Sequence, residues 1–381
     1  MPDELNAGES DDRPQQEASG SEKHFPGTDK NHSPQELPVA PRTLTPKEVA
    51  ALERHFFKTA KPLLGSPPRL VMGVSGGSDS MALLHLVIQS GLVTPDESLV
   101  AHFDHGLRAE SAQEAEFVAK SAADLGVRCL IERWQGNTPP GNLQAQAREA
   151  RYRFLVTTAR HFNAPCIATG HHQDDQGETF LDRLMRGGGV TGLSAMPTRR
   201  TLAPGIDLIR PLLGFTKKAL IRWLQSHPHP WREDPSNRET TYRRNRIRQE
   251  LIPALEKTGM PHPNATLASV ATAMGRADQA LEWMLQSLWP QLEPKIHPDG
   301  SLEISYDGLK KWPPELILRA LIRSHKQLTQ APHPPGLRAR EGFLHLLDDP
   351  RKRWSMRMQG LAIQRLGSVI RFHPTRQAPR K

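Results

Sequence analysis

Leu70-Val71-Met72-Gly73-Val74-Ser75-Gly76-Gly77-Ser78-Asp79-Ser80-Met81-Ala82-Leu83-Leu84 passes from an apolar run through a Ser-Gly turn into a second apolar run. The first run suits a buried strand, and the last suits a helix that starts directly after the turn. The first N–H groups of a helix have no intrahelical partner, and the helix dipole adds partial positive charge there. A strand, a glycine turn and a helix start in this order therefore make an anion site. Gly76 and Gly77 let the backbone wrap a phosphate with no Cβ in the way, and the hydroxyls of Ser75, Ser78 and Ser80 add donors. A Gly-Ser turn that merely caps a helix is the plainer reading, but the placement between strand and helix favours phosphate.

Two familiar phosphate motifs do not fit. A Walker-type loop ends in Gly-Lys-Ser/Thr, and no lysine lies between Lys61 and Lys120. The one Gly-x-Gly-x-x-Gly, Gly187 to Gly192, follows a helical stretch instead of a strand.

Around this stretch the sequence predicts an α/β fold with a parallel sheet. Strands are expected near Leu70–Val74, Leu99–Phe103, Arg128–Glu132 and Cys166–Thr169. Helices are expected at Thr45–Leu64, Met81–Gln89, Glu110–Leu125, Leu143–His161 and Asp175–Leu184. Ligands of such sheets bind beyond the carboxyl ends of strands. His102-Phe103-Asp104-His105-Gly106-Leu107-Arg108 follows the second strand, and Gly170-His171-His172-Gln173-Asp174-Asp175-Gln176-Gly177-Glu178-Thr179 follows the fourth, before Arg183 and Arg186. The His-x-Asp-His part resembles half of a metallo-β-lactamase zinc signature, but that signature needs a histidine where Val100 stands. Carboxylates beside a phosphate loop suit Mg²⁺, which takes oxygen ligands.

The chain has 381 residues and a net charge of +9, and a pI near 9.7, so a polyanionic partner is expected. Two cysteines, Cys129 and Cys166, exclude a disulfide framework, a four-cysteine metal site and a C-x-x-C pair. No apolar run is long enough to cross a membrane and no signal-peptide core is present, so a cytoplasmic location is expected. Nine acidic residues stand against three basic ones over 1–40, so the rest of the chain carries +15. A tail over 1–44 with so few apolar residues is expected to be disordered. The division expected behind it is an ATP-binding domain over 45–255, a helical linker over 256–298 and a small basic C-terminal module over 299–381. Asn264–Leu292 has helical apolar spacing, Leu316–Ile322 suggests a short helix, and Ala362–Phe372 reads as a hairpin about Leu366-Gly367-Ser368.

The Ser75–Ser80 loop resembles the SGGxDS loop of the PP-loop ATP pyrophosphatase superfamily. With HFDHGLR, GHHQDDQGET, the Arg-Gly-Gly-Gly that follows, Arg210-Pro211-Leu212-Leu213, Glu233-Asp234-Pro235-Ser236-Asn237 and Tyr242-Arg243-Arg244-Asn245-Arg246-Ile247-Arg248 in this order, the chain resembles the tRNA(Ile)-lysidine synthetase family from about Leu70 to Leu255. Asp104 departs from the asparagine usual in that family. The resemblance implies a PP-loop domain with an adenine-nucleotide α-hydrolase-like sheet. It also implies ATP as substrate, Mg²⁺, L-lysine and an isoleucine tRNA with a CAU anticodon. It further implies transfer of AMP to the wobble cytidine oxygen, with release of pyrophosphate, and displacement of AMP by the lysine amine. On that reading Ser75, Gly76, Gly77, Ser78, Asp79 and Ser80 bind ATP. His105, Arg108, His171, Asp174, Asp175, Glu178, Arg183 and Arg186 are candidates for catalysis or substrate binding, and Asp79 and Asp175 for Mg²⁺. Tyr242, Arg243, Arg244, Asn245, Arg246 and Arg248 are candidates for tRNA, because arginine forks suit phosphate and a tyrosine ring stacks on bases. The alternatives are another PP-loop tRNA-modifying enzyme of the thiolase type, a PP-loop amide synthetase, and a non-enzymatic RNA-binding protein.

Overall fold

The computed structural model describes residues 43–65, 68–106, 111–134, 143–233, 243–329, 331 and 333–375. Helix α1 (Pro46–Ala60) opens with a reciprocal cap. The Glu48 N–H donates to the Thr45 hydroxyl at 3.4 Å, and the Thr45 N–H donates to the Glu48 carboxylate at 2.8 Å. Then β1 (Leu70–Gly73), α2 (Ser78–Gln89), β2 (Ser98–Asp104), α3 (Ser111–Asp124), β3 (Arg128–Arg133), α4 (Leu143–His161), β4 (Cys166–Thr169) and α5 (Gln173–Leu184) alternate, as the spacing predicts. Of the tail expected over 1–44, only residues 43 and 44 are among those described.

After α6 (Val190–Leu193), two strands that the sequence reading did not anticipate, β5 (Arg199–Ala203) and β6 (Ile206–Ile209), complete the sheet. β5 is the edge strand and its first three residues are exposed, so Arg199-Arg200-Thr201 reads as a basic loop. The order is β3-β2-β1-β4-β6-β5, with β5 antiparallel to β6 and the other pairs parallel. The chain therefore moves one way from β1 and the other way to β4, and a crevice opens where their carboxyl ends part. Leu70, Met72 and Val74 pack on one side of the sheet with Val100 and Ala168. Val71 packs on the other side with Ala101, Ile167 and Leu208. Because β1 is buried on both faces, its run is continuously apolar.

Helix α7 (Lys217–Ser226) covers the first side and buries Leu220, Trp223 and Leu224. Helix α8 (Arg243–Arg246) passes through a π turn (Ile247–Leu251) into α9 (Ile252–Lys257). Helix α10 (Pro263–Leu288) is the element expected over Asn264–Leu292. Its first half packs Leu267 and Ala271 with Phe180 and Leu181 of α5, and its far end places Leu285 in a separate core. After β7 (Lys295–Ile296), whose two residues are exposed, that core belongs to β8 (Leu302–Ser305), α11 (Tyr306–Leu309), α12 (Pro314–Thr329), α13 (Leu337–Leu347), β9 (Arg353–Met358), β10 (Leu361–Leu366) and β11 (Val369–Pro374). These strands form an antiparallel sheet in the order β7-β8-β11-β10-β9. β10 and β11 are the expected hairpin, closing Leu366 against Val369. Alternate residues Ile304, Ile363, Ile370 and Phe372 face Leu321 and Phe343 of the helices.

Candidate active site

The loop after β1 is built as its glycines predict. Gly76 has φ +90°, and a Cβ there would meet Val118 at 3.3 Å. Gly77 is the N-cap of α2 in extended conformation, so the free N–H groups of the first turn face the crevice. Of the three hydroxyls expected to meet phosphate, that of Ser80 closes the loop itself. It accepts from the Ser75 N–H at 3.1 Å and donates to the Gly77 carbonyl at 3.0 Å. Ser78 donates to Asp79 at 3.3 Å.

Beside this loop stands the end of β4. Gly170 lies so close to α2 that a Cβ would sit 2.8 Å from the Asp79 carbonyl oxygen. That approach brings the Gly170-His171-His172 segment against the loop. His172, only 1% exposed in its side chain, places Nε2 3.4 Å from Asp79 and 3.6 Å from Asp175, while its Nδ1 lies 3.8 Å from Asp174. Burial alone would lower its pKa, but the hydrogen bond to Asp79 and the charges of Asp175, Asp79 and Asp174 raise it instead. For Asp79, burial opposes ionisation, but His172 and Lys217 outweigh it and keep the pKa below the ordinary value. His172 and Lys217 were absent from the sequence-derived site. The doublet His171-His172 was legible, but only packing separates its members. Lys217 opens α7, where its N–H donates to Asp174 at 2.9 Å and its amino group lies 3.8 Å from Asp79.

His171 behaves oppositely. Burial lowers its pKa to about 3, and the charges of Arg210, Arg244 and Arg151 add to that effect against Asp175. Arg151 and Arg210 belong to a cationic cluster around Tyr152 that the sequence reading did not assemble. The guanidinium groups of Arg148, Arg151 and Arg200 lie 5.1, 5.4 and 5.4 Å from the centre of the Tyr152 ring. Arg210 is 3% exposed. The buried Nε atoms of Arg151 and Arg210 have no hydrogen-bond partner among the described residues. Burial depresses Arg210 to about 10. Burial would raise the Tyr152 pKa, but the four arginines outweigh it and lower it. Arg148-x-x-Arg151-Tyr152 has the spacing of one helix face, which was the available signal.

Several expected ligands have other work. Arg244 bonds Glu178 at 2.8 Å and Asp175 at 2.5 Å, and Arg248 bonds Glu178 at 2.6 Å. These two arginines, expected at RNA, face inward onto the acidic pair, and Glu178 is 1% exposed in its side chain. Arg183, expected in catalysis or substrate binding, donates to the carbonyls of Gly192 and Ala195 at 2.8 and 2.6 Å. Arg186 and Arg243 both pair with Asp182. Arg246 is exposed on α8 beside Asn245. Gly187 and Gly188 donate to Leu184 and Arg183 and end α5, so the Gly-x-Gly-x-x-Gly stretch begins as a helix cap. His105 lies past β2 with its ring edge-on to Phe103 at 5.0 Å. Arg108 and Tyr242 lie outside the described residues. Asp104 accepts from the Gly106 N–H at 2.7 Å in the turn after β2.

No three His, Cys, Asp or Glu side chains gather to hold a metal ion among the described residues. Asp175 fits Mg²⁺ poorly, since its oxygens already accept from Arg244 and from the His172 N–H. Asp79 and Asp174 keep more open carboxylates, 29% and 21% exposed, and suit a cation that shares phosphate oxygens.

A glycine loop at a helix start, set beside an acidic cluster where strand order reverses, defines an ATP-using enzyme of the PP-loop class, and the PP-loop domain family model matches residues 49–255. The tRNA(Ile)-lysidine synthase of Ruegeria pomeroyi is 39% identical over 306 residues, covering 80% of this chain and 71% of that one. That of Bradyrhizobium diazoefficiens is 44% identical over 221 residues, 58% of this chain and 60% of its own. That of Wolbachia pipientis is 35% identical over 272 residues, 70% of this chain and 61% of its own. The chain belongs to the tRNA(Ile)-lysidine synthase family.

Proposed function

We propose that this chain joins L-lysine to the wobble cytidine of an isoleucine tRNA with a CAU anticodon at the expense of ATP, forming lysidine in the cytoplasm. The contact between His172 and Asp79 carries the reading, because it joins the phosphate loop to the acidic cluster in one site. The pyrimidine carbonyl oxygen is a poor leaving group. Attack of that oxygen on the α-phosphate of ATP makes it a good one, carried off as AMP, and releases pyrophosphate. The lysine amine then adds to the ring carbon, and AMP leaves with the oxygen. The loop from Ser75 to Ser80 would cradle the phosphates with the N–H groups of α2. Lys217 and protonated His172 would offset the charge that develops as pyrophosphate departs. Asp79, with Asp174, would hold Mg²⁺, which neutralises phosphate charge when bound.

The amine must lose a proton before it attacks. Asp174 is the open carboxylate placed to accept it or to hold the ammonium. Asp175 and Glu178 instead fix Arg244 and Arg248 and shape the wall of the site. His171 stays uncharged beside the cationic cluster. Arg148, Arg151, Arg200 and Arg210 would receive RNA phosphate next to a base swung out of the anticodon loop. Arg243 and Arg246 extend that basic surface. The cysteines weigh against sulfur transfer. Burial pushes the Cys129 thiol up to about 11 and raises Cys166 as well, which disfavours the thiolate that sulfur transfer needs.

The test is mass analysis of nucleosides from a CAU-anticodon isoleucine tRNA incubated with protein, ATP, Mg²⁺ and lysine. A cytidine heavier by one lysine less water, absent without ATP or lysine, is expected. ATP turnover with unmodified cytidine would move the reading to another PP-loop reaction.

A further inference from the structure

Helix α10 is shared by two cores, one with α5 and one in the C-terminal module. A shared helix fixes separation along its axis, but rotation of the module about that axis must be set by side contacts. One such contact centres on Arg319 of α12, which is 8% exposed. Its guanidinium donates to Asp278 of α10 at 2.6 Å, to the Thr191 hydroxyl of α6 at 3.2 Å and to Glu315 at 3.1 Å. The Thr191 hydroxyl donates to the same Asp278 oxygen at 2.6 Å. Neither Thr191 nor Asp278 belongs to the module's own core, so the cluster ties the module to something outside it.

That something is the rim of the active site. α6 follows directly from α5, and Arg183 of α5 holds the carbonyls of Gly192 and Ala195. Gln176 of α5 also exchanges hydrogen bonds with the Met196 backbone, at 2.8 Å each way. Hydrogen bonds on either side of the short α6 backbone thus join α12 to the helix that carries Asp174, Asp175 and Glu178. The module also exposes Lys352, Arg353 and Arg357 on and beside β9, which suits a polyanion. We propose that Arg319 is a positioning residue, latching the module to the active-site rim so that one RNA molecule engages both. The inference rests on the tRNA reading above. A fixed geometry raises the effective concentration of the second contact, and losing it weakens only ligands long enough to reach both.

The experiment compares the full chain with Arg319→Gln, Arg319→Lys and Thr191→Val. It measures lysidine formation on full-length tRNA and the inhibition constant of an anticodon stem-loop RNA as competitor. In Arg319→Gln, KM for full-length tRNA is expected to rise about tenfold, with kcat and the stem-loop constant unchanged. Arg319→Lys should recover part of this. Thr191→Val, which removes one hydroxyl from an exposed position, should shift KM less in the same direction and carries the test if Arg319→Gln does not fold. Equal weakening of both RNAs, a fall in kcat alone, or no change in KM would overturn the latch. An unmodified protein that makes no lysidine would instead overturn the functional reading.

Discussion

Replacing Gly170 by alanine tests the closest backbone approach in the site. The added Cβ would stand 2.8 Å from the Asp79 carbonyl oxygen, 2.9 Å from its carbon and 3.0 Å from the Ser80 nitrogen. All three atoms are backbone of the first turn of α2, so no flexible side chain can give way. Restoring ordinary contact needs β4 and α2 to part by about 0.6 Å, and overpacking of this kind costs about 1–3 kcal/mol. For a domain of this size each kcal/mol lowers Tm by about 2–4 °C. The displaced turn is also the one proposed to cradle phosphate. A misplacement of 1 Å costs about a hundredfold in rate, so about half of that distance predicts a loss of about tenfold. Gly189→Ala is the control, because Gly189 has φ −76° and no heavy atom within 4 Å of the added Cβ. Calorimetry and tRNA-dependent pyrophosphate release would be measured on both variants. Wild-type Tm and rate in Gly170→Ala would refute the reasoning, since the two backbones would then not be packed as described.

Glu178→Gln removes the charge shared by Arg244 and Arg248. Both arginines keep some solvent, so a loss of about 2–3 kcal/mol is expected, below that of a fully buried pair. An unchanged urea midpoint would show that the arginines are held by other groups. The stability of the chain should also depend on His85. Burial, then the charges of the stacked His229 and nearby His227, lowers its pKa from 6.5 to about 4. The unfolded imidazole takes up a proton as pH falls through its ordinary value, whereas the folded one resists until about 4. Stability is therefore full above the unfolded pKa and declines as pH drops from there toward the folded one. His85→Leu should flatten that decline, and an equally steep decline in the variant would exclude His85 as its source.

Much of the fold was legible because its signals are local. The continuous apolar run into Ser75–Ser80, the strands near residues 99, 128 and 166, and the hairpin about Gly367 each follow from spacing and turn chemistry within a few residues. β5 escaped because a short exposed edge strand carries no apolar pattern, and β6, though buried, is only the four residues Ile206–Ile209, too short a run to read as a strand by itself. The site was legible as a set of residue types but not as a set of roles. Helical spacing sorts Arg244 and Arg248 from Arg243 and Arg246 as two pairs, but nothing in the sequence says which pair faces inward. Only the first pair meets Glu178, because Arg244 and Arg248, four residues apart, share the face turned toward α5.

The sequence by itself determined that a phosphate loop opens a parallel sheet and that histidines, carboxylates and arginines follow the strand ends. Those features depend on residues adjacent in the chain. The tertiary structure decided which of them meet. Reversal of strand order between β1 and β4 brings His172 to Asp79, and burial then raises one histidine of a doublet and lowers its neighbour. Desolvation and charge pairing depend on distances across the fold, and those distances are set only when the sheet has closed.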